Sequence, residues 1–247
     1  MTEHVVPPAE PAAVPIEPHF TVLLLEDGSV HVQEALHRAG DGSEAAWRLL
    51  RRRYAGRDGG APVRTSVARR SGSVDAYLLG PDGPAPVAGG HPRRLPAEPV
   101  DPRWMDGMPD RHDLLELVRA AERAGEWHGA LVAAERLAAH LGADLGEAHP
   151  HTVLAAELQG HFALRAREWV LAARLFSVAA AGRYALGSPA ADTARALDNA
   201  VSAWTRSRGQ RGAREAGLAL AHLLVRAAPV PRGRLAAVLD GLGEPGR

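Results

Sequence analysis

Three histidines offer the densest donor set in the chain. His149 and His151 stand two residues apart and His161 follows ten residues later. Imidazoles at such spacing could converge on a metal ion. A zinc site, however, needs three or four ligands completed by carboxylate, thiolate or further imidazole. No carboxylate pattern completes the set, and the chain has no cysteine. No metal is expected, and disulfides and cysteine nucleophiles are excluded. Gly40-Asp41-Gly42-Ser43-Glu44-Ala45 places glycines before a helix start, where backbone N–H groups could hold a phosphate. A dinucleotide fold would require a buried strand before that turn. Gln33 to Ala39 is polar, so the segment reads as an ordinary turn and cap. Asp113 and Glu116 form a carboxylate pair, but their spacing is that of a solvated helix face. The chain lacks His-Glu-x-x-His, a nucleophile elbow and a phosphate loop. No cofactor is implied, and the expected protein is not an enzyme.

Charge carries more information than any of these motifs. The 29 acidic residues balance 29 basic ones, all arginine, and the pI is near 7.2. Nucleic acid and anionic membranes therefore feel no long-range attraction to the whole molecule. Arginine without lysine fits a GC-rich genome. The balance is uneven along the chain: residues 101–160 hold eleven acids against five arginines, and 190–247 hold nine arginines against five acids. Arg206, Arg208, Arg211 and Arg214 cluster near the end. Such polarity could orient a charged peptide or stack copies head to tail, so a homo-oligomer is admitted. Nucleic acid is disfavoured as partner, because the aromatic interleaving of a single-strand binder is missing.

These residues are carried by a repeating pattern. Ala124-Gly125-Glu126-Trp127 and Ala166-Arg167-Glu168-Trp169 lie 42 residues apart, and Arg208-Gly209-Gln210 follows at the same interval. Leu145-Gly146-Glu147-Ala148-His149-Pro150-His151-Thr152 partly recurs 41 residues on, as Leu186-Gly187-Ser188 through Thr193. A period of this length marks stacked helical hairpins. Leu114, Leu117, Val118 and Ala121 follow helical spacing, as do Leu131, Ala134, Leu137, Ala138 and Leu141 beyond the breaker Gly125. A second pair carries Ala155, Leu158, Phe162 and Ala166, then Ala172, Leu175, Phe176 and Ala179. The third spans Ala190 to Arg208 and Gln210 to Ala227, and Leu235 to Leu242 would cap the stack.

Before the repeats the pattern is mixed. Residues 1–18 contain five prolines and read as a disordered leader. Thr21 to Leu25 and Ser29 to Val32 flank Asp27-Gly28 and predict a hairpin. Asp41 caps a helix to about Tyr54, and Pro62 to Ala68 and Ser73 to Leu79 predict two more strands, with Pro81-Asp82-Gly83 opening a last short one. The expectation is a small α+β (ββαββ) unit over 19–90, a Pro/Gly linker over 91–108, and a mostly α helical-repeat domain over 109–247. Whether the two parts touch stays open, since the linker permits either.

Over residues 109–228 the chain resembles tetratricopeptide repeats, specifically the kinesin-light-chain-like variety with repeats near 42 residues. Gly160 takes the small position of a first helix, and Ala172, Phe176 and Ala179 the small, bulky and small positions of a second. Leu145-Gly146, His149-Pro150 and Thr152 match the junction between repeats. Val118 and Ala134 depart from the pattern in the first repeat, as do Ser202 and Arg214 in the third. The resemblance implies a stack whose concave face, lined by first helices, holds a partner peptide or helix. Asp113, Glu116, His161, Arg165, Trp204 and Arg208 are the expected partner-binding residues, by helix membership. Trp127 and Trp169 are expected to close the hairpin turns, while Trp204 could be core or groove anchor. The expected function is a non-enzymatic adaptor in the cytoplasm, without the basic start and apolar run of a signal peptide. The alternative is a regulatory module of a larger complex, with the α+β unit sensing a small ligand.

Overall fold

A computed structural model describes residues 20–25, 29–32, 35–38, 43–54, 63–80, 83–87, 100–107, 112–227 and 232–243. The leader, the Asp27-Gly28 turn, the Asp41 cap with its glycines, and most of the Pro/Gly linker lie outside them. The chain is mostly helical, with a small sheet first and consecutive helical hairpins after it.

Six strands form the sheet: β1 Phe20–Leu24, β2 Ser29–Val32, β3 Ala35–Arg38, β4 Val63–Ala68, β5 Val74–Gly80 and β6 Gly83–Pro86. Their order is β3-β2-β1-β4-β5-β6, two antiparallel meanders joined by the parallel pair β1 and β4. Helix α1, Ser43–Tyr54, connects them. The expected ββαββ unit thus gains β3 at one edge, while β6 at the other edge is the last short strand expected to open at Gly83. Ala35–Arg38 was too polar to read as a strand, yet an edge strand needs pairing on one side only. His31 pairs with Leu36 there.

Side chains alternate across this sheet because strands have a period of two. One face collects Val22, Val30, Val32, Val67 and Leu79 against Leu50 of α1, with Trp47 edge-on to Tyr77 at a centroid distance of 4.9 Å. The opposite face presents Leu23, Leu25 and Ala68. They join Leu220, Leu224, Val238 and Leu239 in one buried core. Arg70 and Asp240 pair across the same junction at 2.9 Å. Sheet and helices therefore touch, through apolar side chains that water would otherwise penalise at roughly 25 cal/mol per Å².

The array comprises α2 His112–Ala124, α3 Trp127–Leu145, α4 Pro150–Arg165, α5 Trp169–Ala185, α6 Ala190–Ser207 and α7 Ala213–Arg226, closed by α8 Arg232–Gly243. Each helix packs on the next, and α8 packs on both α6 and α7. Small residues let the helices approach. A Cβ on Gly160 would sit 3.1 Å from the Phe176 ring, and one on Gly182 would sit 2.6 Å from Val153. Leu117, expected on the packed stripe of α2, is 51% exposed, because α2 opens the array and no described helix precedes it. No described helix is long and apolar enough to cross a membrane.

Candidate functional site

The hairpin turns align along one edge of the array. Gly125, Arg167 and Gly209 close the first helix of each pair with φ of 71°, 63° and 80°. Behind the first two, the Glu126 N–H donates to the Ala121 carbonyl and the Glu168 N–H to Ala163, both at 2.9 Å. These bonds satisfy carbonyls that the helix end would leave open. Arg167 is the one positive-φ residue other than glycine among the described residues. Left-handed backbone costs an L residue about 1–2 kcal/mol. Arg167→Gly is therefore expected to raise stability by about 0.5–1 kcal/mol, after the greater freedom of glycine in the unfolded chain is counted. A urea titration checks it: the midpoint should rise with the slope unchanged.

The tryptophans of this edge are held between successive pairs. The Arg165 guanidinium lies 4.2 Å from the Trp127 ring centroid and that of Arg206 lies 5.9 Å from Trp169. Each arginine ends the first helix of the following hairpin, so the stacks tie neighbours together, as expected of Trp127 and Trp169. His128 adds a bridge to Glu168 at 3.7 Å.

Of the expected partner-binding residues, Asp113, His161 and Arg165 are exposed. Asp113 begins α2, while His161 and Arg165 end α4. His161 stands edge-on to Phe176 at 5.7 Å. Glu116 is half-buried and engaged by its own helix, accepting from Arg119 at 2.8 Å with Arg123 3.6 Å away. Trp204 is core. It is 2% exposed, and its Nε1–H donates to the Ala213 carbonyl at 2.8 Å, so the indole cannot reach a partner and the anchor role is corrected. Arg208 is exposed but spans the Trp204 ring at 5.1 Å and donates to the Ala237 carbonyl of α8 at 3.3 Å. Arg214 likewise donates to Leu242. Three of the four arginines of the C-terminal cluster, Arg206, Arg208 and Arg214, thus contact other elements of the array.

A second built cluster lies at the opposite edge, where one pair passes to the next. Arg183 is 4% exposed and donates from Nε and Nη2 to Glu157, at 2.9 and 2.5 Å. Its Nη1 donates to the Ser188 hydroxyl at 3.0 Å, with Asp192 3.8 Å away. The guanidinium faces the Trp104 ring at 5.0 Å, and the Trp104 Nε1–H donates to the Leu186 carbonyl at 3.1 Å. Segment 100–107 is thereby strapped across the junctions between successive hairpins. His151 extends the strap through its Nε2 to the Asp106 carbonyl, at 3.1 Å. Neither Trp104 nor Arg183 was singled out by sequence. Trp104 sits amid prolines, and an arginine inside a helix gives no sign that it is buried.

The histidines here are structural. His149 caps α4, its Nδ1 accepting the His151 N–H at 3.2 Å. Burial, followed by the charges of His151 and Arg103, lowers the His149 pKa, against the opposing pull of Asp106 and Asp101. The unfolded chain then binds the proton more readily, so stability is complete above the unfolded value of about 6.5 and is lost as pH falls through the lower folded value. Thermal midpoints from pH 7.5 to 5 should fall more steeply for the native chain than for His149→Asn, which retains a cap that does not titrate. Among the described residues no group of three His, Cys, Asp or Glu side chains could hold a metal.

Comparison with protein-family models, with curated proteins and with solved structures gives no match to this chain.

Proposed function

We propose that this protein is a non-enzymatic scaffold of the tetratricopeptide-repeat type, holding a partner peptide or helix along the first helices of its hairpins. The observation that carries the proposal is a division of labour within the array. The second helices and the small residues Gly160, Ala172 and Ala179 close the interior, while Asp113, His161 and Arg165 on the first helices remain exposed. Repetition of one turn at Gly125 and Arg167, with a further left-handed residue at Gly209, spaces the hairpins evenly. Such a surface offers side chains in fixed spacing at no ordering cost, which is what peptide recognition requires. Binding along these helices relies on charge, since Trp204 faces the interior. The sensor alternative has less support, because α1 fills one face of the sheet and the C-terminal helices fill the other.

The test uses the full chain as bait in native lysate, because the sheet shares the helical core, beside the variant His161→Glu/Arg165→Glu with its fold checked by circular dichroism. A partner retained in stoichiometric amount by the native chain and lost by the variant supports the scaffold. Failure of the native bait to retain any protein removes it.

A further inference from the structure

Apart from Arg174, Ser177 and Arg183, the sequence of α5, Trp169–Ala185, is apolar without a marked polar face, a pattern close to that of a covered helix. One stripe is nevertheless open. Leu171 is 40% exposed, Val178 62% and Tyr184 39%, with Ala181 exposed between them. Spacings of seven, three and three residues put these on one side of the helix. They lie away from the face that packs Ala172, Phe176, Ala179 and Ala180 inward.

The third hairpin shows what this side of a second helix does when it is covered. Counted from the first helical residue, Arg174, Val178 and Ala181 of α5 correspond to Leu218, His222 and Val225 of α7. Leu218 and Val225 belong to the core that includes Leu23, Leu25 and Ala68 of the sheet, and α7 packs directly on β1. Around Val178 and Ala181, the side that α7 buries within this chain is left open by α5, whereas Glu215, at the place of Leu171, is exposed in α7 as well.

Charge says what should lie there. Arg174 projects from the open stripe toward the third hairpin turn, where its Nη2 comes within 3.1 Å of the position a Cβ on Gly212 would take. Arg211 is the neighbour of that glycine in the chain, and both arginines are exposed. Neither forms an ion pair among the described residues, whereas Arg119, Arg195 and Arg234 all find carboxylates. A guanidinium fork is suited to a carboxylate. We propose that Leu171, Val178, Ala181 and Tyr184, with Arg174 and Arg211 at one end, form a second docking surface for an amphipathic partner segment that carries acidic residues beside its apolar stripe. The proposal rests on the scaffold function and places a second contact outside the first-helix groove.

A labelled helical peptide with leucines spaced three and four residues apart and glutamates at its ends is the probe, titrated against the full chain by fluorescence anisotropy. Expected is saturable binding that Val178→Arg and Arg174→Glu each weaken at least tenfold, with unchanged circular dichroism. Replacing the glutamates by glutamine should weaken binding to the native chain and have little further effect on Arg174→Glu. Equal affinity of the native chain and both variants overturns the surface, as does equal affinity for a scrambled peptide. Peptide lost only with His161→Glu/Arg165→Glu overturns it while leaving the scaffold intact. Absence of all peptide binding overturns it as well, and the lysate experiment then decides separately whether the scaffold stands. Sedimentation showing a dimer that Val178→Arg dissociates would assign the stripe to a second copy and overturn the partner segment.

Discussion

Trp204→Ala is expected to cost about 3–5 kcal/mol, the range for truncating a large aromatic in a closed core. The indole is 2% exposed and lies in the same core as Phe176, Leu220, Leu224 and Leu239. Its Nε1–H bond to the Ala213 carbonyl ties α6 to the first residue of α7. Truncation therefore leaves a cavity and removes the tie between the two helices, although the Ala213 carbonyl keeps its place in the α7 ladder. The loss is a large share of the roughly 5–15 kcal/mol that holds a domain folded. Gly217 explains why the site cannot relax. A Cβ there would fall 2.6 Å from Cε2 of the indole, so helix and ring are already in contact. Gly217→Ala alone should cost about 1–3 kcal/mol by overpacking. In the double variant the methyl enters the space left by the ring, and the two costs should add to less than their sum. Urea unfolding of the four proteins completes the cycle. A loss below 1 kcal/mol for Trp204→Ala, accompanied by loss of partner retention, would return Trp204 to the role of groove anchor.

The helical hairpins were legible because they rest on backbone needs that recur in residue identity. A left-handed turn asks for glycine, and Gly125 and Gly209 supply it 84 residues apart, with Arg167 midway. Helix ends and the apolar spacing of Leu137 and Leu141 were equally plain, since both are properties of one segment. What escaped was whatever depends on a distant segment. Leu23 and Leu25 read only as part of a hairpin strand, with contact between the two parts left open, and they complete the core of α7 and α8. Nothing in a five-residue strand states which surface lies over it. Trp204 looked the same as core or anchor, for the spacing of an aromatic on a helix fixes its side only relative to its own neighbours. The candidate site was legible in part for a related reason. Helix membership pointed to Asp113, His161 and Arg165, which are exposed, but it could not show the side-chain contacts of Glu116, Arg165 and Arg208. The open stripe of α5 was hidden by its own composition, because alanine, leucine and valine at those positions suggest burial.

Arg183→Ala should be comparably severe, about 3–5 kcal/mol, since it leaves the Glu157 carboxylate without its partner in a setting where that side chain is 12% exposed. Glu157→Ala should cost less. Arg183 then retains the Ser188 hydroxyl and Asp192, so its charge is still compensated. The double replacement Arg183→Met/Glu157→Met removes both charges and preserves bulk, and its stability is expected to return to within about 1 kcal/mol of the native chain. That recovery would leave one defect. Without the guanidinium, Trp104 keeps its bond to the Leu186 carbonyl but loses the cation above its ring, worth about 0.5–1 kcal/mol or more when desolvated. Segment 100–107 should then exchange its amide hydrogens faster while α4 and α5 keep their protection. Global destabilisation in the double variant would mean that the pair itself holds the second hairpin together. A stable double variant with a loosened strap would instead assign Arg183 to fixing segment 100–107 at the junction of the second and third hairpins.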